Sequence, residues 1–97
     1  MEQDSPNTLE ASGVVEVLNS KGLHARPSHS LVSLALGFES EIEIQCRTTK
    51  ANAKSILEML TLAAAYGDKL QIRVVGVDAE LALVRLIDLI QSGFDEE

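Results

Sequence analysis

From Glu41 to Cys46 the chain alternates without interruption: Ile42, Ile44 and Cys46 share one parity, Glu41, Glu43 and Gln45 the other. Successive side chains on a strand point to opposite faces, so this segment reads as a strand with one dry and one wet side. A wet side excludes a parallel sheet covered by helices on both faces and leaves an antiparallel sheet with one open face. Lys69 to Val75 repeats the pattern, with Leu70, Ile72 and Val74 inward and Gln71, Arg73 and Val75 outward. Gly13 to Asn19 is short and β-branched, and Arg47 to Ala53 is polar and reads as a short, weak strand. Between these lie three stretches of helical period. Leu31, Val32, Leu34, Ala35 and Phe38 mark the first, which Gly37 caps. The second runs from Ser55 to about Ala65, and the third, from Ala79 to Gln91, carries Leu83, Leu86, Ile87 and Ile90.

The order is therefore β-α-β-β-α-β-α. It predicts an α+β fold: a two-layer, open-faced sandwich in which three helices cover one face of an antiparallel four-stranded sheet. At 97 residues the chain is one domain. Residues 1–12 read as a disordered polar extension, 13–92 as the folded domain and 93–97 as a frayed acidic tail.

A core of this size has no room for a multi-substrate pocket, so any chemistry needs a partner to bring the other reactant. Fifteen acidic against 8 basic residues, a net charge of −7 and only 3% aromatics exclude a general nucleic-acid binder. The lone cysteine, Cys46, lies on the inward parity of its strand and reads as a buried thiol, with no partner for a disulfide. No apolar run approaches the roughly 18 residues that span a bilayer, so no membrane insertion is expected. The first residues lack the basic and apolar character of a secretory signal, and a cytoplasmic protein is expected.

The chemistry concentrates in Gly22-Leu23-His24-Ala25-Arg26-Pro27-Ser28, at a strand-to-helix turn. Neutral imidazole is available as a nucleophile near pH 7. A helix N-terminus favours an added anion, and Arg26, two residues on, can pair with it. Pro27 lacks a donor that the first turn would leave unpaired. By physics alone two readings stand: a phosphate-accepting histidine, or a surface histidine in a Gly/Pro turn.

The same residues resemble the active-site signature of the HPr family, the histidine-containing phosphocarriers of the bacterial phosphoenolpyruvate-dependent phosphotransferase system. Lys54-Ser55-Ile56-Leu57-Glu58-Met59-Leu60-Thr61-Leu62-Ala63 resembles the family's second signature, around its regulatory serine, and follows His24 at the family's spacing. The resemblance spans Gly13 to about Ser92. It implies a phosphocarrier, not an enzyme, with His24 taking a phosphoryl group on Nδ1 from phosphorylated Enzyme I and passing it to enzyme IIA domains in sugar uptake. Arg26 would stabilise the transferring charge. The resemblance implies no cofactor, and the sequence offers no convincing set of metal ligands. A monomer is expected. Two alternatives stay open: a carrier of the nitrogen-related branch, and a regulatory binding module acting through Ser55.

Ser55 and Glu58 fit a capping box, which by itself accounts for the serine. The resemblance adds phosphorylation by an HPr kinase/phosphorylase. His29, where the family commonly has a small residue, is about 140° around the helix from His24 and reads as a solvated residue. The second helix carries two apolar stripes, Met59, Leu62 and Ala63 against Ile56, Leu57 and Leu60. One stripe faces the core; the other lies under loops or forms a docking patch. The family uses this helix for docking, which makes Ile56, Leu57 and Leu60 contact candidates beside Leu23. Lys21, Arg26, Arg47, Lys50 and Lys54 are five of the eight basic residues and form a basic neighbourhood in an acidic chain. Lys21 and Lys54 join the contact candidates.

Overall fold

A computed structural model describes residues 9–95. Four strands and three helices follow in the expected order: β1 (Glu10–Glu16), α1 (Ala25–Ala35), β2 (Glu41–Cys46), β3 (Thr49–Asn52), α2 (Ile56–Thr61), β4 (Lys69–Val75) and α3 (Ala79–Gln91), with a 3-10 turn at Gly93–Asp95. The strands form one antiparallel sheet in the order β1-β4-β2-β3. Val74, Ile72 and Leu70 of β4 lie opposite Ile42, Ile44 and Cys46 of β2, so the two alternating patterns meet in register. All six are buried, whereas Glu41, Gln71 and Arg73 on the other parity are exposed. Helix α3 packs across β1 and β4, and α2 lies against β3 and α1. Leu31, Met59, Leu86 and Ile90 from the three helices close the core over the dry face. No helix among the described residues is long and apolar enough to cross a membrane.

Several boundaries differ from the sequence reading: β1 ends at Glu16 rather than Asn19, β3 is confined to Thr49–Asn52, and four others change more. Strand β1 begins at Glu10, inside the stretch assigned to the disordered extension. Glu10, Ala11 and Ser12 pair with Val75, Val74 and Arg73, because β4 offers a full-length edge to which polar residues can add. Residues 1–8 of that extension lie outside the described residues.

Helix α1 ends at Ala35, with Leu36 as its cap residue. Helix α2 ends at Thr61 rather than Ala65: Ala63 takes a left-handed φ of 49°, which stops the helix and turns Ala64 inward.

Within the stretch read as a frayed tail, Gly93–Asp95 form a 3-10 turn. Phe94 is buried after the left-handed turn at Gly93, since it is one of the few large aromatic surfaces available to cover the end of the core. Glu96 and Glu97 lie outside the described residues.

Candidate phosphoryl-acceptor site

His24 is the N-cap of α1, with extended backbone (φ −74°, ψ −169°) and a half-buried side chain. The first helical hydrogen bond runs from Ser28 N–H to the His24 carbonyl at 3.1 Å. The amides of Ala25 and Arg26 therefore sit in the first turn, where helix geometry provides no acceptor, and Pro27 has no N–H to satisfy. Arg26 is exposed beside the histidine in this turn. The imidazole thus stands at the positive end of an 11-residue helix, with amides and a guanidinium in the same turn.

The turn is held from three sides. Gly22 has φ +71°, and a Cβ there would come within 2.5 Å of the Ala64 carbonyl oxygen, so only glycine fits. That same carbonyl accepts a hydrogen bond from Leu23 N–H at 2.9 Å. Ser28 is buried and its hydroxyl donates to the Leu23 carbonyl at 3.0 Å, fastening the helix start to the turn. Asn19 is buried, and its Nδ2 donates to the Gly93 carbonyl at 2.9 Å. The loop after α2 and the turn at Gly93 therefore both buttress the histidine turn. The sequence reading missed these supports, because carbonyl partners carry no side-chain signature. The Gly93-Phe94 step after a helix was the one available signal.

The expected contact residues divide. Lys21, Leu57 and Leu60 are exposed, Leu57 at 76% and Leu60 at 43%. Leu23 was a contact candidate, but it is 5% exposed and belongs to the core; its backbone serves the turn, and its side chain has no surface to offer a partner. Ile56 is half-buried against the core. The Lys54 ammonium donates to the Phe38 carbonyl at 2.6 Å, and Arg47 pairs with Asp68, so the basic neighbourhood is smaller than the residue count suggests. Met59 and Leu62 are buried as the inward stripe, while Ala63 is exposed because the helix has already ended. His29 is exposed on α1.

Ser55 caps α2, its hydroxyl oxygen accepting from Glu58 N–H at 3.2 Å. The reciprocal arm of the capping box is redirected: Glu58 Oε1 accepts from Asn52 N–H at 2.8 Å and ties the helix to the end of β3. Cys46 is buried, and desolvation pushes its thiol above the ordinary value, so it is protonated at neutral pH. Among the described residues no three His, Cys, Asp or Glu side chains cluster to hold a metal.

An open-faced sandwich with a histidine at the N-cap of its first helix, an arginine in the same turn and an apolar helix end alongside fits the resemblance that the sequence carries. Comparison with known proteins agrees. The family profile described as "PTS HPr component phosphorylation site" matches residues 11–92. The chain is 38% identical over 84 residues to the phosphocarrier protein NPr of Escherichia coli K12, covering 86% of this chain and 93% of that one. It is 41% identical over 83 residues to the phosphocarrier protein HPr of Treponema pallidum, covering 86% and 94%. The solved structure of HPr-C-His from Thermoanaerobacter tengcongensis superposes with a TM-score of 0.86 at 38% identity, covering 90% of this chain and 98% of that one. The chain belongs to the HPr family, whose members are phosphocarriers of the phosphotransferase system rather than enzymes.

Proposed function

We propose that this protein carries a phosphoryl group on His24, taking it from phosphorylated Enzyme I and delivering it to enzyme IIA domains of sugar uptake. The observation that carries this reading is the position of His24 at the N-cap of α1, with Arg26 in the same exposed turn. The lone pair of Nδ1 attacks phosphorus. The phosphorus–nitrogen bond of the donor histidine breaks as the new one forms, and the donor nitrogen leaves with its electron pair. Onward transfer is the same exchange with His24 as the leaving group. The helix N-terminus and Arg26 stabilise the charge spread over the three phosphoryl oxygens, while the small domain leaves the rest of the site to each partner. Leu57 and Leu60 form the apolar part of the docking face, with Lys21 and Arg26 at its basic side. The protein acts in the cytoplasm as a monomer.

Incubation with phosphoenolpyruvate, Mg²⁺ and the cognate Enzyme I should add one acid-labile phosphate, measured by intact mass, and His24→Ala should abolish it. No gain while Enzyme I is itself phosphorylated overturns the reading. The 38% identity to NPr favours a second reading, the nitrogen-related branch, with the same chemistry. Side-by-side transfer from the phosphorylated protein to enzyme IIA domains of each branch decides between them. Ser55 is the regulatory position in this proposal. An HPr kinase/phosphorylase with ATP should add an acid-stable phosphate that Ser55→Ala removes. A chain phosphorylated only at Ser55 is instead a regulatory binding module.

A further inference from the structure

The loop between α2 and β4 does more than connect them. Its Ala64 carbonyl accepts the Leu23 amide, one residue before His24, and leaves no room for a Cβ at Gly22. That carbonyl can hold the turn only if the loop itself is held, and the loop is not held by propensity. Ala63 sits at φ 49°, which costs an L-residue energy that glycine avoids, so something must enforce it.

Backbone hydrogen bonds contribute, from Gly67 N–H to the Val17 carbonyl at 2.8 Å and from Asp68 N–H to the Ala65 carbonyl at 2.9 Å, and the side-chain contacts come from Arg47 and Asp68. Arg47 Nη1 is ion-paired to Asp68 Oδ2, and its Nη2 donates to the Ala63 carbonyl at 3.4 Å. Asp68 Oδ2 also accepts from Ala65 N–H at 2.8 Å, and the Asp68 backbone carbonyl accepts from Val17 N–H at 2.9 Å. The two side chains therefore grip the residues on either side of Ala64 and join them to the turn after β2, while the Asp68 backbone ties the same loop to the segment after β1. Arg47 itself is at φ 56°, in the turn between β2 and β3, which brings its side chain across to this loop.

An exposed ion pair by itself is worth little, and Arg73 with Glu10 on the open sheet face is an example here. Arg47 with Asp68 differs because each member also binds backbone of the loop that supports the histidine turn. We infer that Arg47 and Asp68 form a clamp that positions His24 for phosphoryl transfer through the Ala63–Ala65 loop. They are positioning residues and touch no reacting atom. The inference rests on the carrier reading above.

Displacing a reacting group by about 1 Å can cost up to about a hundredfold in rate, so loosening the clamp should lower the maximal transfer rate by about tenfold. The assay is the initial rate of phosphorylation of the full chain by phosphorylated Enzyme I, with carrier concentration varied, at a temperature where every variant is folded by circular dichroism. Arg47→Ala and Asp68→Asn should lower kcat with little change in KM, because the docking residues are untouched. Arg47→Lys should recover part of the loss, and Arg73→Ala should behave as the parent. In parallel, hydrogen exchange of the Leu23 amide should quicken in Arg47→Ala and Asp68→Asn. A parental kcat in both, with the parent phosphorylated, overturns the clamp. So does a change confined to KM, or a Leu23 amide protected as in the parent. Failure of the parent to accept phosphate overturns the carrier reading and the clamp's role in transfer together, a different result from a phosphorylated parent with indifferent variants.

Discussion

At Gly22 the histidine turn depends on a missing methyl group. The residue has φ +71° and faces the Ala64 carbonyl at a separation no Cβ tolerates. Gly22→Ala is expected to destabilise the protein by about 1–3 kcal/mol, measured by urea unfolding, and to slow phosphoryl acceptance because the Leu23–Ala64 bond is pushed apart. Ala63 presents the opposite case. It is held at φ 49° with a methyl group it does not need, so Ala63→Gly should stabilise by about 1 kcal/mol in the same measurement. The glycine in the turn was visible in the sequence beside His24. The alanine was not, since a left-handed alanine has no local signature and its conformation depends on contacts made across the fold.

Helix α2 shows how an element divides its residues between core and surface. Met59 is fully buried and Leu57, two positions away, is 76% exposed. Met59→Ala should cost about 2–5 kcal/mol of stability. Leu57→Ala should leave stability within about 0.5 kcal/mol, as for most surface changes, and instead weaken binding to Enzyme I. Thermal unfolding checks the first pair of outcomes and isothermal titration calorimetry the last. A loss of stability in Leu57→Ala, or unchanged affinity, would remove this helix from the docking face. The two apolar stripes were legible from spacing, but which one faced inward was not. Periodicity gives a helix its faces without saying where the sheet lies, and the early stop at Ala63 altered the last turn.

Across the whole molecule, two acidic residues fasten elements distant in sequence. Asp78, at the start of α3, accepts from the backbone amides of Glu39 and Ser40 at 2.9 and 3.0 Å and from the Ser40 hydroxyl. These hydrogen bonds, the Ser40 hydroxyl first, hold its carboxyl below the usual aspartate value. Gly76 makes the approach possible, since a Cβ there would lie 2.6 Å from Ser40 Cα. Asp68 is likewise held low, by the Ala65 amide first and then Arg47. Both carboxyls ionise more readily in the folded than in the unfolded chain. Their contribution is therefore complete above the unfolded aspartate pKa of about 3.9 and disappears as pH falls through the lower folded values. Asp78→Asn should narrow the stability gap between pH 6 and pH 3, as followed by urea midpoints at each pH. A gap equal to that of the parent would show that Asp78 carries no acid sensitivity.

The sequence alone determined the elements, their order, the dry and wet faces of the sheet and the histidine turn. These follow from local periods and from residue types whose backbone limits are intrinsic. It also carried the family resemblance, because both signatures are continuous in the chain. Tertiary structure decided the rest: that β1 reaches back to Glu10, that Leu23 is core, that Lys54 and Arg47 are occupied, and that Asn19, Ala64 and Gly93 support the histidine turn. Each of those depends on a contact between residues far apart in sequence, or on a backbone carbonyl that every residue possesses, and neither leaves a mark in the order of amino acids.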